Sequence, residues 1–262
     1  MNAAETPSLS SRLRDNVLPP LLILACALSV WELTVRTLDV PPWLLPAPSD
    51  IVQRFFKTTT LGYHTGNTVL EALAGFLISA MLGISLSAGI VHSRFLERGV
   101  FPYVIVSNAI PIIALIPLLT IWFGFGIAPK IMICSIISFF PIVTNTTRGL
   151  KATDRRIIEF MHSINATRPE ILFKLQLPSA LPFIFAGFKI AASLALVGAV
   201  VAEFYSSDVG LGYLIITSAT QLRTDLLFVA IVTLAALGVS SFMLFSYLER
   251  KATRGERTEE TQ

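Results

Sequence analysis

Six stretches of the 262-residue chain are long and apolar enough to cross a lipid bilayer. A spanning helix needs roughly 20 mostly apolar residues. The stretches that meet this condition are 18–37, 68–91, 100–122, 129–147, 182–204 and 226–247. Because the hydrocarbon offers no hydrogen-bond partner, every backbone N–H and C=O must be paired within its own segment. The sequence therefore predicts one all-α, polytopic membrane domain with about six transmembrane helices.

The low content of charge supports this class. Only 14% of the residues are charged, and the mean hydropathy is +0.70. Soluble domains carry about 25% charged residues. The first apolar stretch follows Arg12 and Arg14, as in a signal peptide, but it is longer than a typical signal core and no A-x-A-like site follows it. We therefore expect an uncleaved membrane anchor.

The positions of Lys and Arg predict the orientation of the chain. Most of them lie before the first span, between spans 2 and 3, between spans 4 and 5, and after span 6. The outer segments hold Arg36, Arg54, Lys57, Lys130 and Arg223. Because basic residues concentrate on the cytoplasmic side, we expect both termini in the cytoplasm. The predicted organisation is a cytoplasmic N-terminal tail, 1–17, a transmembrane domain, 18–248, and a charged cytoplasmic tail, 249–262. The basic residues form no stripe of the kind that binds nucleic acid.

The longest internal loop, between spans 4 and 5, contains the signals of a short helix. Thr153 or Asp154 can cap a helix that runs to about Ile164. Four apolar residues are predicted to lie along one face of it: Ile157, Ile158, Met161 and Ile164. Asn165 follows, and asparagine tolerates the left-handed conformation that ends many helices.

A second short helix is predicted directly after that turn. Thr167 and Glu170 have the spacing of a capping box, and Pro169 is tolerated in a first helical turn. We expect this helix to stop near Pro178 and span 5 to begin at Pro182. A short amphipathic helix held at both ends suits insertion into a groove on another protein. Packing against its own membrane domain is the alternative that local chemistry leaves open.

This segment, residues 153–178, resembles the EAA motif of permease subunits from bacterial binding-protein-dependent ABC importers. The motif reads E-A-A, three residues, G, nine residues, I-x-L-P. Glu159 stands at its Glu, Ala166 follows the turn, and the final L-x-L-P matches residues 175–178. Phe160 and Met161 replace the two alanines, and Asn165 replaces the glycine. The stretches LLPAPSDIV, IPIIALIPLLTIWFGFGIAPKI and AGFKIAASLALVGAVVAEFYSSDVGLGYLI extend the resemblance over most of residues 40–248, closest to the nitrate, sulfonate and taurine group, which includes importers of vitamin precursors.

The resemblance implies a bacterial inner-membrane permease with a coupling helix between helices 4 and 5. It implies three protein partners: a separate ATP-binding subunit, an extracytoplasmic solute-binding protein, and a second permease copy in a homodimer, with a heterodimer left open. Lipid surrounds such a subunit. The residues expected to couple to the ATP-binding subunit are Glu159, Asn165, Ala166, Thr167, Arg168, Glu170, Leu175, Leu177 and Pro178. The chain has no G-x-x-x-x-G-K phosphate loop, so we expect neither ATP hydrolysis nor another enzymatic activity.

Polar residues within the spans are candidates for the solute pathway, since ionisable and polar groups at membrane depth are costly. The candidates are Asn108, Pro111, Asn145 and Glu203. Three acids, Glu32, Glu71 and Glu203, lie near span ends, where the side chain can extend to the membrane surface. His64, His92 and His162 are scattered, so no metal site, catalytic cluster or cofactor is predicted.

Two other functions compete with an ATP-driven importer. An ion-gradient-driven secondary transporter needs coupling carboxylates near mid-membrane, whereas the acids here lie near span ends. An intramembrane enzyme needs convergent catalytic groups, which the sequence does not offer. For the solute, the mostly apolar spans favour a small organic molecule. A flat vitamin or vitamin precursor, such as a thiamine-type pyrimidine or riboflavin, is the first candidate, and taurine, sulfonates and nitrate stay open.

Overall fold

The computed structural model describes residues 9–253, without the side chains of residues 9–17 and Ser206. The outer parts of both predicted tails, 1–8 and 254–262, lie outside the described residues. Twelve α-helices and one π turn follow one another in this part of the chain: α1 Leu9–Thr37, α2 Pro48–Lys57, α3 Leu61–His92, α4 Arg94–Gly99, α5 Phe101–Ser107, α6 Ile112–Phe123, α7 Ile127–Lys151, α8 Arg155–Ser163, α9 Arg168–Ile171, the π turn Leu172–Gln176, α10 Leu177–Ser206, α11 Leu211–Thr220 and α12 Thr224–Ala252.

The prediction of about six membrane helices is confirmed. Five helices between residues 9 and 253 are long and apolar enough to cross a bilayer: Leu18–Thr37 within α1, Leu61–His92, Ile127–Lys151, Arg168–Tyr205 and Thr224–Ala252. The helices Arg94–Ser107 and Ile112–Phe123, which meet at 100°, pass the same test together and are counted here as a sixth, broken span.

The break corrects the expectation that residues 100–122 form one continuous helix. Pro111 lies at the bend with an extended ψ of 107°. Proline has no N–H to donate, and its ring disfavours the helical conformation of the residue before it. The chain therefore leaves α5 in tight turns, in which the Ala109 N–H donates to the Val106 carbonyl at 2.9 Å.

The chain divides into two units, and the larger comprises Thr60–Ile216 and Ala230–Gln262. Its centre is formed by α3, α7 and α10, which approach closely through small residues. A Cβ added at Gly75 would overlap Cys134 of α7, and one added at Gly187 would press on the Pro141 carbonyl at 3.0 Å. Ser138 donates across to the Ala191 carbonyl at 3.1 Å. Small residues and hydroxyl bridges are typical of helix packing in membranes, where apolar side chains gain little by leaving lipid.

The smaller unit comprises Met1–Thr59 and Thr217–Val229, and a polar network joins α1 to α2 within it. The Glu32 carboxylate accepts from the Ser49 N–H at 3.0 Å and from the Ser49 hydroxyl at 2.7 Å. Arg36 donates to Glu32 at 3.1 Å and to Asp50 at 3.0 Å. Glu32 therefore binds the first turn of α2 from another helix, which satisfies N–H groups that have no intrahelical partner.

Candidate functional site

The 153–178 segment begins with a capped helix whose apolar side is partly exposed and partly buried. Asp154 is the N-cap, and its carboxylate accepts from the Arg156 N–H at 2.8 Å. The predicted apolar side is divided between exposed and half-buried residues. Ile157, Phe160 and Ile164 point outward and are 46%, 63% and 59% exposed. The other two predicted members of that face, Ile158 and Met161, are half-buried on the inner side.

The turn after α8 is set by Asn165, as predicted. Asn165 has a φ of 62°, in the left-handed region. Its N–H donates to the His162 carbonyl at 3.0 Å, and the Ala166 N–H donates to the Met161 carbonyl at 3.0 Å. This pair of bonds is the Schellman pattern, which satisfies the last carbonyls of a helix. Asn165 therefore performs the backbone role of the motif's glycine.

The predicted capping box at Thr167 and Glu170 is present. The Glu170 carboxylate accepts from the Thr167 N–H and from the Thr167 hydroxyl, both at 2.9 Å. Lys174 also donates to Glu170, at 3.0 Å. The second short helix is thereby held at its beginning by side chains of its own sequence.

The second helix does not stop near Pro178, contrary to expectation. It continues through the π turn into α10, and the Leu177 N–H donates to the Leu172 carbonyl, five residues earlier. In an α-helix the ring of Pro178 would clash with the carbonyl four residues before it. The wider π turn moves that carbonyl aside, and Pro178 takes an early position of α10, where a missing N–H is tolerated.

The predicted coupling residues divide between an outward surface and a scaffold. Glu159 lies outward with its side chain 63% exposed, and it accepts from Arg155 at 2.9 Å. Arg168 is exposed on the next helix. The predicted residues that are half-buried in the scaffold are Ala166, Leu175, Leu177 and Pro178.

The predicted pathway residues lie in two different settings. Asn108 and Pro111 are both exposed, at the break in the third span. Asn145 is half-buried in α7, donates to the Pro141 carbonyl at 2.8 Å, and lies against Gly187 of α10. Their role in lining a pathway stays a prediction.

A buried charge cluster lies elsewhere in the larger unit, and the sequence did not predict it. Lys130, counted among the basic residues of the outer segments, lies in the first turn of α7 and is 4% exposed. Its ammonium forms an ion pair with Glu71 of α3 and donates to the Ser207 hydroxyl at 3.0 Å. Glu71 and Glu203 are each 1% exposed. The expectation that these two acids extend to the membrane surface is wrong, because each has buried partners that offset part of its desolvation.

Glu203 closes the turn between α10 and α11. Its carboxylate accepts from the Gly212 N–H at 2.5 Å and from the Thr68 hydroxyl at 2.7 Å. Thr68 in turn accepts from the Leu211 N–H at 2.8 Å. A Cβ at Gly210 or Gly212 would overlap this carboxylate, and Gly210 has a φ of 110°. The spacing of this glutamate from the two glycines is the signal in the sequence that could have revealed the turn.

These features define a class of protein. The larger unit exposes a helix–turn–helix element braced by its own caps, and the sequence has no phosphate loop to hydrolyse ATP. This architecture suits the membrane subunit of a transporter driven by another protein.

The comparison with protein families confirms this class. Residues 59–254 match the family described as "Binding-protein-dependent transport system inner membrane component", and the chain belongs to it. It is a permease subunit of an ABC importer in the inner membrane, and it is not an enzyme. ATP-binding and solute-binding partners follow from this family. The ion-gradient-driven transporter and the intramembrane enzyme considered above are therefore wrong.

Related chains agree over nearly the whole length. The formylaminopyrimidine transport permease protein ThiX of Halalkalibacterium halodurans is 35% identical over 234 residues, which cover 88% of this chain and 93% of ThiX. The riboflavin transport system permease protein RibX of Chloroflexus aurantiacus is 35% identical over 229 residues, which cover 86% and 85% of the two chains. A chain of the inward-facing MetNI methionine ABC transporter shares the fold, with a TM-score of 0.68 and 18% identity over 74% of this chain and 96% of that one.

Proposed function

We propose that the ATP-binding subunit docks on the outer face of α8, in the 153–178 segment. The observation that carries this proposal is the exposure of Ile157, Phe160 and Ile164 on a helix fixed at both ends by hydrogen bonds. An exposed apolar row at helical spacing is what a groove on a partner accepts. Because the helix is held before it binds, little conformational entropy opposes docking. Glu159 lies on another side of the same helix, where it pairs with Arg155, and its exposed carboxylate adds a charge for recognition.

The same proposal implies an orientation of the chain in the membrane and a division into a permease domain and two tails. Docking places the 153–178 segment in the cytoplasm, and the excess of basic residues on that side supports both termini being there. Residues 18–248 then form the permease domain, between the cytoplasmic tails 1–17 and 249–262.

A second, identical copy is proposed to cover the break in the third span. Residues 105–111 are exposed in the single chain, although they lie within a spanning segment. Irregular backbone at membrane depth is tolerated only where protein covers it or where it lines a water-filled cavity. A homodimer that meets at this break would satisfy both conditions and would place Asn108 and Pro111 beside the solute pathway.

The proposed solute is a flat heteroaromatic molecule of the vitamin or vitamin-precursor class. Both relatives at 35% identity are named for such solutes, a formylaminopyrimidine and riboflavin. A cleft of about 660 Å³ in the larger unit has Phe125 and Tyr205 at its wall, 86% and 60% exposed. Aromatic rings stack with flat heterocycles, and Asn67 offers hydrogen bonds in the same cleft.

Uptake by the reconstituted transporter tests the proposal. The chain would be placed in proteoliposomes with its ATP-binding subunit and supplied with its solute-binding protein. We expect ATP-dependent uptake of riboflavin or formylaminopyrimidine and none of taurine or nitrate. Uptake of taurine alone would refute the solute class and leave docking intact. Full ATP-driven uptake after Glu159→Arg, which reverses a charge at the proposed docking surface, would refute its part in docking.

A further inference from the structure

A cavity of about 380 Å³ lies behind the 153–178 segment, on the side of α8 opposite the docking face. Its wall is formed by the inner face of α8, by α9, and by the last residues of α3 and α7. The polar residues that carry the argument are His92, Lys151, Arg155, His162, Arg168 and Gln176.

The charge of this cavity has one sign. Three of its lining residues are Lys or Arg, two are His, and no Asp or Glu lines it. The carboxylates that neutralise two of the cations lie outside the lining: Glu97 pairs with Lys151 at 2.5 Å, and Glu159 pairs with Arg155 at 2.9 Å. Arg168 has no ion pair with any described residue. The unpaired Arg168 therefore leaves the wall with a net positive charge, which favours an anion in the cavity.

Two polar side chains of the wall are buried without partners. Gln176 is 5% exposed, and its Oε1 has no hydrogen bond. The Thr153 hydroxyl is buried and unpartnered as well. A buried polar group without a partner is costly, so each such group needs an explanation. A rotation of the Gln176 side-chain amide by about 180° exchanges the positions of its oxygen and its NH₂ group. In that orientation the NH₂ group and the Thr153 hydroxyl can both donate to an anion.

The position of the cavity along the spans points to the membrane surface. His92 is the last residue of the span Leu61–His92, and Lys151 is the last residue of Ile127–Lys151. The cavity therefore lies at the ends of two candidate spans, beyond their apolar middle parts. Basic clusters at this depth attract anionic lipids.

We propose that this cavity binds a phosphate group, supplied by the headgroup of an anionic phospholipid. Arg168, which has no ion pair with a described residue, would supply the charge that neutralises the phosphate, and Gln176 and Thr153 would donate hydrogen bonds to its oxygens. The bound group would bridge α9 to the ends of α3 and α7. Anionic lipid would thereby hold the docking helix against the membrane domain, independently of which solute is carried.

Hydrogen exchange and native mass spectrometry of the full-length chain in nanodiscs test this proposal. Three conditions are compared: phosphatidylcholine alone, phosphatidylcholine with phosphatidylglycerol, and phosphatidylcholine with inorganic phosphate at matched ionic strength. We expect phosphatidylglycerol to slow amide exchange in residues 155–168 and to remain bound to the chain. Equal slowing by inorganic phosphate would keep the phosphate site and make a soluble phosphate its source.

Charge-matched variants give the control. Arg168→Gln should weaken retention of phosphatidylglycerol about fivefold, the effect of one basic residue near a membrane surface. Arg156→Gln removes the same charge from α8 outside the cavity lining and should weaken retention much less. Gln176→Leu should lower retention while the melting temperature stays equal or rises, since it removes a buried unpaired amide. Identical exchange in all three conditions, or equal losses in the Arg168 and Arg156 variants, would overturn the proposal.

Discussion

Phe160→Ala should weaken docking of the ATP-binding subunit more than any other single truncation on α8. Phe160 stands where the family motif has a small alanine, and it is 63% exposed. A phenylalanine carries roughly 200 Å² of surface, so roughly 120 Å² is free to be buried, worth about 3 kcal/mol at about 25 cal/mol/Å². Alanine keeps part of that contact. We therefore expect a loss of about 2 kcal/mol, or about 30-fold in Kd at each docking site.

The affinity of the purified ATP-binding subunit for the chain in nanodiscs measures this loss directly. Phe95→Ala is the matched control, because Phe95 is 82% exposed and lies on α4, outside the 153–178 segment. The control should leave the Kd unchanged. Melting temperatures of the two variants should match that of the wild type, since neither ring is in the core.

Two results would refute this reasoning. If Phe160→Ala binds the ATP-binding subunit as tightly as the wild type does, the outer face of α8 is not the docking surface. If Phe95→Ala lowers the affinity equally, the loss reports exposed apolar surface in general. Tighter binding after Phe160→Ala would mean that the partner's groove is shaped for the family's alanine.

Three further predictions concern stability and are checked by thermal unfolding in detergent. Lys130→Met should destabilise the chain by about 3–5 kcal/mol by leaving a buried carboxylate unpaired, and adding Glu71→Gln should restore part of that loss; an equal or larger loss in the double variant would contradict the ion pair. Gly212→Ala should destabilise the turn after α10, because its methyl group would overlap a carboxylate and a carbonyl. Gly238→Ala, which has open space around it, should be neutral or stabilising. Equal melting temperatures of these two variants would contradict the prediction. Asn165→Gly should keep the stability and the docking affinity, whereas Asn165→Val should lower the free energy of unfolding by about 1–2 kcal/mol through left-handed strain. An unchanged stability of Asn165→Val would contradict the left-handed conformation at residue 165.

Features encoded by short stretches of sequence were predictable. The six apolar stretches gave the number of spans because the bilayer requires each to pair its own backbone. Asp154, Asn165 and the pairing of Thr167 with Glu170 were found because caps act over three or four residues. Their partners in the structure are the ones that this spacing predicts.

Features that depend on distant partners were not predictable. Lys130 and Glu71 are 59 residues apart, and no local pattern indicates that one will neutralise the other. The same holds for Glu203, whose partners come from α3 and α11. The π turn was missed for another reason: Pro178 has the signature of a helix end, and only the widened turn before it allows the helix to continue.

That continuity has a mechanical consequence. From Arg168 to Tyr205 the chain is one helix of 38 residues, about 57 Å long at about 1.5 Å per residue. A rotation at its cytoplasmic end would be transmitted along one continuous helix, because no flexible loop lies between its two ends. The regular hydrogen-bond pattern of this helix is interrupted at the π turn and at Pro182. A movement of the proposed docking segment would thus be transmitted through a single helix to the turn that Glu203 closes at its other end.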